Sequence, residues 1–371
     1  MSIRTRAAIC FETGKDWQVE EIELDPPKAD EVLVRMGGAG LCHSDEHVLT
    51  GDLPYPLPII GGHEGAGVVE EVGPGVTAVA PGDHVVFSFL PVCGRCPSCS
   101  TGHQNLCDLG MYLRQGKQVS DHTARHHLDG QDLNINLMLG TFAEHTVASV
   151  YNCVKIDEEI PLDVACLLGC GVGTGWGAVV NTGEVRAGDT VVVVGIGGIG
   201  INAVQGAAMA GAERILAVDP VEFKRQKALE FGATHTAADW DSAFRLLQDL
   251  TWGRLAHVVV LSKSVGESAD IGQALRLTAK RGKVVVANLY NHAEDTVSMR
   301  PLDLVTMEKQ VRGTLFGSSN PLADIPRLLG LYHSGKLKLD ELRTHRYRLE
   351  EINQGYDDMR NGRSLRGVLS F

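Results

Sequence analysis

Four cysteines lie close together in the chain, at the spacing of a metal site. Cys93, Cys96, Cys99 and Cys107 follow the pattern C-x2-C-x2-C-x7-C. Because the spacers are short, one loop can close four thiolates around a single ion, and zinc prefers such a tetrahedral set with no bound water. An iron–sulfur cluster and redox-active disulfides are the alternatives, but ferredoxin-like spacings differ at the fourth cysteine. The pattern therefore predicts a structural zinc ion that braces the loop.

A second set of metal-binding residue types is dispersed over three pieces of the chain. Cys42 lies in GLCHSDEH, His63 lies in GGHEGAG, and Cys170 lies in LGCGVGTG. Taken alone, each piece also fits a plain structural role, because cysteine often behaves as a small buried apolar residue. A core histidine with its hydrogen bonds made is equally ordinary. Spacing alone therefore leaves both interpretations open.

A third motif combines glycines with a change from strand to helix. The β-branched run 191–194 ends in a G-x-G-x-x-G formed by Gly195, Gly197 and Gly200, and Asp219 closes the next apolar run. In dinucleotide-binding folds the glycines allow a tight turn, close approach of a pyrophosphate and helix packing, and the helix N-terminus attracts the phosphates. An acid in this place accepts hydrogen bonds from a ribose and repels a 2′-phosphate, which favours NAD over NADP. A turn of another doubly wound fold is the alternative, because glycine is frequent in this chain.

The elements that position these motifs change in type along the chain. Up to about residue 90, short runs with proline and glycine between them predict a β-rich, barrel-like domain. From Pro161 onward, helical stretches alternate with β-branched runs, which predicts a parallel sheet with right-handed crossovers. In this second part, strands are predicted at 191–194, 215–218, 257–261, 283–287 and 310–316. The polar, histidine-rich segment 108–140 is expected to lie over the surface.

The end of the chain is expected to return to the first domain. A leucine-rich helix is predicted at 325–332 and a last strand at 367–371. The expected organisation is a Rossmann doubly wound parallel sheet at 172–315, inserted within a discontinuous β-rich domain of residues 1–171 and 316–371. The crevice between two such domains is the natural place for a ligand.

Composition restricts the class of protein. The formal net charge is −12, which argues against nucleic acid as a partner. The apolar run 7–11 is too short for a signal peptide, and the glycine-rich stretch reads as a buried βα unit rather than as a membrane span. Nine cysteines are an odd number and indicate metal or thiol usage in a reducing cytoplasm.

Taken together, these motifs resemble the zinc-containing medium-chain alcohol dehydrogenases over essentially the whole chain. The most specific of them is G-H-E-x-x-G-x-V, which here begins at Gly62. The resemblance implies that the β-rich domain is GroES-like and catalytic. It also implies two zinc ions per subunit, one structural in the four-cysteine loop and one catalytic, held by Cys42, His63 and Cys170 with an open fourth position.

The resemblance assigns roles to further residues near that catalytic ion. It places Glu64 behind the metal and Asp45 on the second ring nitrogen of His63. Ser44 and His47 are implied to form a relay that removes the alcohol's proton through the nicotinamide ribose. Phe89 is implied to line the substrate pocket. Plain surface polarity is the alternative for Ser44 and His47.

The resemblance also implies a set of contacts with NAD. Gly195, Gly197, Gly198 and Gly200 form the turn, Asp219 and Lys224 hold the adenosine ribose, Thr174 lies near the nicotinamide, and Arg366 pairs with a pyrophosphate oxygen. For Arg366, a solvated charge is the alternative. His43 stands where many relatives carry arginine, and a mostly neutral imidazole predicts a weaker, pH-dependent grip on the diphosphate.

The implied reaction is reversible hydride transfer from a primary or secondary alcohol to NAD. The segments VSDHTARHH and LMLGTFAEH are most similar to an actinobacterial branch described as nitrosodimethylaniline-dependent, in which NAD stays bound and an outside acceptor recycles it. A formaldehyde dehydrogenase acting on a thiol adduct is an alternative, although no basic cluster lies between Gly51 and His63. A non-enzymatic zinc- and NAD-binding protein is disfavoured, because all the ligand and relay residues are present.

The resemblance further implies self-association. The predicted strand 310–316 falls at the edge of the nucleotide sheet, where an unpaired edge invites a second copy of the chain. A homodimer is expected, with a tetramer as the alternative.

Overall fold

The computed structural model describes all 371 residues, which form two compact units. The first unit contains Met1–Cys170 and Asn320–Phe371, and the second contains Gly171–Ser319. The predicted domain limits lie within a few residues of these. The β-rich first unit and the parallel sheet of the second confirm the predicted fold class.

The first unit is built from two sheets. The smaller sheet has the strand order Gln131–Asp132, His126–Leu128, Gln18–Leu24, Ile3–Cys10, Ile59–Ile60 and Asn134–Ile135. The larger sheet has the order Cys153–Ile156, His84–Phe87, Gly65–Val72, Glu31–Gly40, Arg366–Ser370 and Arg343–Tyr347, and His145–Ser149 also pairs with Glu31–Gly40. Burial does not alternate strictly along these strands, and Glu31–Gly40 is buried at nearly every position. The strand Glu31–Gly40 lies centrally and pairs with three others.

Short helices connect these strands. They are His43–Thr50, Pro97–Ser100, Leu162–Ala165, Pro321–His333 and Ile352–Arg360, and 3-10 turns occupy Gln104–Leu106, Asp108–Tyr112, Asn136–Met138, Val150–Asn152, Cys166–Gly169 and Leu349–Glu351. The helix predicted at 325–332 lies within Pro321–His333, and the last strand is Arg366–Ser370.

The prediction that segment 108–140 lies over the surface is wrong for its second half. Arg125 and His126 are both 1% exposed, and Arg125 donates to Glu31 through Nε at 2.8 Å and Nη2 at 2.6 Å. A bidentate ion pair satisfies both buried charges, so a polar segment can enter the interior. The segment therefore contributes to the core of the first unit.

The second unit is a parallel sheet flanked by helices. Its strand order is His235–Ala237, Arg214–Val218, Thr190–Val194, Ala256–Leu261, Thr278–Val286 and Gln310–Gly313, and a small pair joins Val265–Gly266 to Leu289–Tyr290. The helices are Gly171–Gly177, which continues as a π-turn over Ala178–Thr182, and then Gly198–Met209, Glu222–Glu230, Trp240–Thr251, Asp270–Leu277 and Pro301–Met307. Continuous buried runs such as Thr190–Val194 suit a sheet that is covered on both faces.

The predicted strand 310–316 is shorter than expected. It ends at Gly313, and Phe316–Ser318 form a 3-10 turn. Phe316, Gly317 and Ser318 have φ values of 53°, 65° and 51°, and such left-handed conformations cannot continue a strand.

No single helix of the protein is long and apolar enough to cross a membrane. One pair of helical segments meets that requirement when the two are taken together, by length and composition only. The pair has a bend at its break and consists of Leu162–Gly169 and Gly171–Thr182.

The buried His126 predicts a pH dependence of stability. Burial, with help from the neighbouring charges of His127 and Arg125, lowers the pKa of His126 to about 3. In the unfolded chain the ring of His126 gains a proton near pH 6.5, whereas in the folded protein it stays neutral until about pH 3. The contribution of the neutral ring to the free energy of unfolding is therefore complete above pH 6.5 and is lost as the pH falls towards 3. Between pH 7 and pH 5 the loss amounts to about 2 kcal/mol.

We expect His126→Asn to remove that part of the pH dependence, since asparagine has no proton to gain. Urea unfolding at pH 7 and pH 5 measures it. The exposed His122 supplies the control variant His122→Asn, which keeps the wild-type difference between the two pH values. An unchanged difference in His126→Asn would contradict the assignment.

Candidate active site and metal centres

The three residues predicted to hold the catalytic zinc meet at one point of the first unit. One ligand atom from each of Cys42, His63 and Cys170, together with a carboxylate oxygen of Glu64, lie within 4.8 Å of one another. His63 and Cys170 are only 1% and 7% exposed. Residues far apart in the chain thus form one buried group of two thiols, an imidazole and a carboxylate.

The larger sheet brings these residues together. Cys42 follows the end of the strand Glu31–Gly40, and Glu64 directly precedes the strand Gly65–Val72. These strands are antiparallel, and Ala39 pairs with Gly65, so the end of one lies beside the start of the other. The pairing register therefore determines which side chains share the site.

The imidazole of His63 fits a metal ligand. Its Nδ1 lies 2.9 Å from Oδ1 of Asp45, and its Nε2 is buried without a hydrogen-bond partner. A carboxylate on one ring nitrogen fixes the tautomer and directs the other nitrogen at a metal. Two thiolates and one imidazole are the protein ligands of a catalytic zinc ion that keeps a position open. The chemistry of the donor set and the unpartnered nitrogen both fit zinc.

The electrostatics of the group also favour a cation. A hydrogen bond from Cys170, aided by His63, lowers the pKa of Cys42 well below the usual thiol value, although burial opposes this. Burial lowers the pKa of His63, but attraction to Asp45 outweighs it and raises the pKa overall. Cys42 therefore has thiolate character, and a divalent ion bound at this group would compensate that charge.

Glu64 and Arg366 form a buried ion pair beside the thiols. The guanidinium of Arg366 contacts the carboxylate of Glu64 and donates to the backbone oxygen of Leu41 at 3.1 Å. Burial raises the pKa of Glu64 to about 7, although the charge of Arg366 acts in the opposite direction. The contact of Arg366 with a pyrophosphate stays a prediction, because its contacts here are with Glu64 and Leu41.

The residues predicted to carry the proton lie on the helix His43–Thr50. Oγ of Ser44 is 3.7 Å from Sγ of Cys42. Nδ1 of the buried His47 lies 3.0 Å from Oδ2 of Asp52. Asp52 was not identified from the sequence. The preceding Gly51 could have indicated it, because a glycine that ends a helix turns the chain back towards that helix.

His43 and Phe89 occupy different environments. His43 is partly exposed, with Nε2 at 3.8 Å from a carboxylate oxygen of Glu46. Phe89 is almost buried and lies edge-on to the ring of His63, with centroids 5.8 Å apart. Phe89 is thus placed to form a wall beside the metal group.

The four cysteines of the loop form a second metal group. One sulfur from each of Cys93, Cys96, Cys99 and Cys107 lies within 4.8 Å of the others. Backbone N–H groups of Cys96, Cys99 and Asp108 donate to sulfurs of the set at 3.4 Å each. Burial raises the pKa of Cys93, but hydrogen bonds from the N–H groups of Arg95 and Cys96 outweigh it and lower the pKa to about 7. Four sulfurs held this way fit a closed tetrahedral zinc site.

The nucleotide motif lies in the second unit, at the end of the central strand Thr190–Val194. Gly195 has φ +88°, and a side-chain carbon at Gly200 would come within 1.9 Å of its carbonyl oxygen. Only glycine permits this turn and this approach. A side-chain carbon at Gly197 meets nothing within 4 Å, so space lies in front of the helix Gly198–Met209. The turn thus fits a dinucleotide phosphate at a helix N-terminus.

Asp219 is positioned by the backbone of two turns. Its oxygens accept from the N–H of Ile196 at 2.8 Å and of Val221 at 2.9 Å. Lys224 is partly exposed on the following helix. Arg225, which was not identified from the sequence, donates to the carbonyl oxygen of Asp219 at 2.7 Å. Only the backbone path of this turn brings the guanidinium of Arg225 to the backbone oxygen of Asp219. The sequence therefore carries no signal for this contact.

Thr174 lies on the first helix of the second unit. It is 5% exposed, within the helix Gly171–Gly177. Its predicted place near the nicotinamide stays a prediction.

Comparison with known proteins identifies the family. A model described as alcohol dehydrogenase GroES-like domain matches residues 28–158, and one described as zinc-binding dehydrogenase matches residues 198–334. The chain is 51% identical to an NDMA-dependent alcohol dehydrogenase of Amycolatopsis methanolica over 99% of both chains. It is 46% identical to alcohol dehydrogenase B of Mycobacterium tuberculosis over 100% of this chain and 99% of the relative.

A solved structure agrees with these matches. The alcohol dehydrogenase zinc-binding domain protein from Burkholderia ambifaria is similar with a TM-score of 0.94 at 34% identity, and the match covers 100% of both chains. The predicted family and the likeness to the nitrosodimethylaniline-dependent branch are confirmed. The chain belongs to the zinc-containing alcohol dehydrogenases.

Proposed function

We propose that this alcohol dehydrogenase transfers hydride reversibly between a primary or secondary alcohol and NAD at the site of Cys42, His63 and Cys170. The observation that supports the site most directly is the buried, unpartnered Nε2 of His63 beside two thiols. When bound, zinc supplies a Lewis acid that acidifies the alcohol, and NAD supplies the hydride acceptor.

The chain's own residues move the proton. Its contact with Cys42 supports Ser44 as the residue that meets the alcohol hydroxyl. The contact between Nδ1 of His47 and Asp52 supports the tautomer in which Nδ1 carries the hydrogen. Nε2 of His47 is then the atom that accepts the proton and passes it to solvent.

The proposal of NAD over NADP is supported by Asp219. Backbone N–H groups engage its two oxygens, so its carboxylate is fixed next to the glycine turn. A fixed carboxylate accepts hydrogen bonds from ribose hydroxyls and repels a 2′-phosphate.

We extend the proposal to a bound cofactor that an outside acceptor reoxidises. It is supported by the NDMA dependence that the name of the Amycolatopsis methanolica relative records. His43 argues against a permanently bound cofactor, because a partly exposed imidazole binds a diphosphate less firmly than arginine does. The thiol-adduct alternative is not favoured, since residues 51–63 contain no lysine or arginine.

A reducing cytoplasm is the proposed location. No disulfide links any of the nine cysteines. Thiols in this state persist where the cell keeps cysteine reduced.

Substitution of one ligand tests the catalytic site. We expect His63→Ala to lower alcohol turnover by more than about 100-fold, beyond the usual effect of changes outside the ligand set. The amount of NAD released from denatured enzyme should not change, because the nucleotide turn lies in the other unit. His103→Ala, at an exposed histidine, is the control. Full activity of His63→Ala would refute the site.

The state of the cofactor can be measured directly. Nucleotide is released from purified enzyme by denaturation and identified, and an alcohol panel is assayed with an artificial acceptor but no added NAD. We expect NAD in the released fraction and turnover without addition. A strict need for added NAD would show that the cofactor exchanges, and a strict need for a small thiol would favour the thiol-adduct alternative.

The zinc content tests the two metal groups together. We expect about two zinc ions per subunit by elemental analysis, and about one in Cys99→Ser, because that variant breaks the closed tetrahedral set. Its loop should also become sensitive to limited proteolysis. Cys153→Ser removes a buried cysteine outside both groups and should keep the wild-type content. Wild-type zinc in Cys99→Ser would contradict the structural site.

We also propose a homodimer formed through the edge strand Gln310–Gly313. This strand pairs on one side only, with Thr278–Val286. Nearby apolar side chains are unusually exposed, including Val305 at 78% and Leu302 at 60%. An unpaired edge with exposed apolar residues favours pairing with another copy.

We expect Val305→Glu to shift the protein towards monomer in sedimentation velocity, because it places a charge in the apolar contact. Leu322→Glu, at an exposed apolar residue of the first unit, should leave the assembly unchanged. A dimer or tetramer that persists unchanged in Val305→Glu would show that the contact lies elsewhere.

A further inference from the structure

A strained turn lies close to the catalytic residues in the first unit. Leu137 and Met138 are consecutive non-glycine residues with φ values of 47° and 64°. Left-handed backbone of this kind is unfavourable for residues that carry a side chain. Backbone strain of this kind persists only where the surrounding structure enforces it, and it is concentrated at functional sites.

The turn closes around Asn136. The N–H groups of Leu139 and Gly140 both donate to the carbonyl oxygen of Asn136, at 2.9 and 3.1 Å. Met138 and Leu139 are fully buried and anchor the turn in the core, and Asn136 itself is 0% exposed. The direction of the Asn136 side chain is therefore set by the backbone.

That side chain reaches the carboxylate behind His63. Nδ2 of Asn136 donates to Oδ1 of Asp45 at 2.7 Å, and the N–H of Gly62 donates to the same oxygen at 3.0 Å. Nδ1 of His63 lies 2.9 Å from it as well. The other oxygen, Oδ2, is buried without a partner. Three donors on one oxygen thus determine how the Asp45 carboxylate is turned.

We propose that Asn136 is a positioning residue for the catalytic metal site, which holds Asp45 in the orientation that directs His63 at the ion. The inference rests on the proposed zinc site of Cys42, His63 and Cys170. Without the amide of Asn136, the N–H of Gly62 is the one donor besides His63 that still holds Oδ1 of Asp45. The carboxylate can then rotate and exchange Oδ1 for the unpartnered Oδ2. The ring of His63 then loses its fixed direction, and the ion is held less firmly.

The chain offers a matched control for this residue. Asn134 lies two residues earlier, is also buried, and donates through Nδ2 to the carbonyl oxygen of Pro58 at 3.0 Å. Asn134→Ala therefore removes a buried amide hydrogen bond from the same segment without touching Asp45.

The test is the rate at which a chelator removes zinc from purified holoenzyme. The four-cysteine group serves as an internal reference in each protein. In Asn136→Ala we expect the catalytic ion to leave about 10-fold faster, which is the lower end of the range found when a residue that holds a metal ligand is changed. The structural ion should leave at the wild-type rate. Turnover number should fall with bound NAD unchanged. Asn134→Ala should release both ions at wild-type rates.

The outcomes separate this inference from the proposed function. A wild-type enzyme with only the four-cysteine zinc would refute the catalytic site itself. Two ions in the wild type, with wild-type release from Asn136→Ala, would overturn the positioning role alone. If Asn136→Ala does not fold, Asn136→Ser, which is polar but too short to reach Asp45, takes its place. Failure of both to fold, with Asn134→Ala folded, would assign Asn136 a purely structural role.

Discussion

The desolvation of two thiols and an imidazole at one point of the first unit is the constraint on which the rest of the structure depends. His63 and Cys170 are buried, Cys42 is partly exposed, and Nε2 of His63 has no hydrogen-bond partner. Burying such groups together is costly, so binding of the proposed zinc ion would also stabilise the fold. The ion would compensate the charge of the thiolate ligands and engage the ring nitrogen of His63.

The surroundings of this group are arranged to bear that cost. Asp45 fixes the imidazole from behind, and the ion pair of Glu64 and Arg366 balances charge within the same buried layer. Glu64 and Arg366 lie at the starts of two strands of one sheet, His63 lies in the turn before the first of them, and Asp45 lies on the helix His43–Thr50. Rigid strands hold ligands more precisely than loops do, which suits a centre that must keep one coordination position available.

The motifs that are local in the chain could be predicted from residue types and spacing. The dispersed set of Cys42, His63 and Cys170 could be predicted only through the family resemblance, and other partners that folding brings together could not be predicted. The four-cysteine loop, the glycine turn and G-H-E-x-x-G-x-V each keep their chemistry within a few residues. The contact of Asn136 with Asp45 and that of Arg225 with the backbone oxygen of Asp219 depend on the path of the backbone, and the residues beside them in the chain do not indicate it. The strand predicted to reach 316 stops early because Phe316 and Ser318 adopt left-handed conformations that their residue types do not favour. Likewise, the polarity of segment 108–140 concealed that Arg125 is neutralised by Glu31, a residue far earlier in the chain.

The two metal groups differ in how much of the chain they require. All four sulfurs of the loop lie between Cys93 and Cys107, whereas the other group spans Cys42 to Cys170 and needs a complete sheet register. Because synthesis starts at the N-terminus, all four cysteines of the loop are present in the growing chain before Cys170 is added. For the two proposed zinc ions, the order of residues therefore makes the ligand set of the loop complete first.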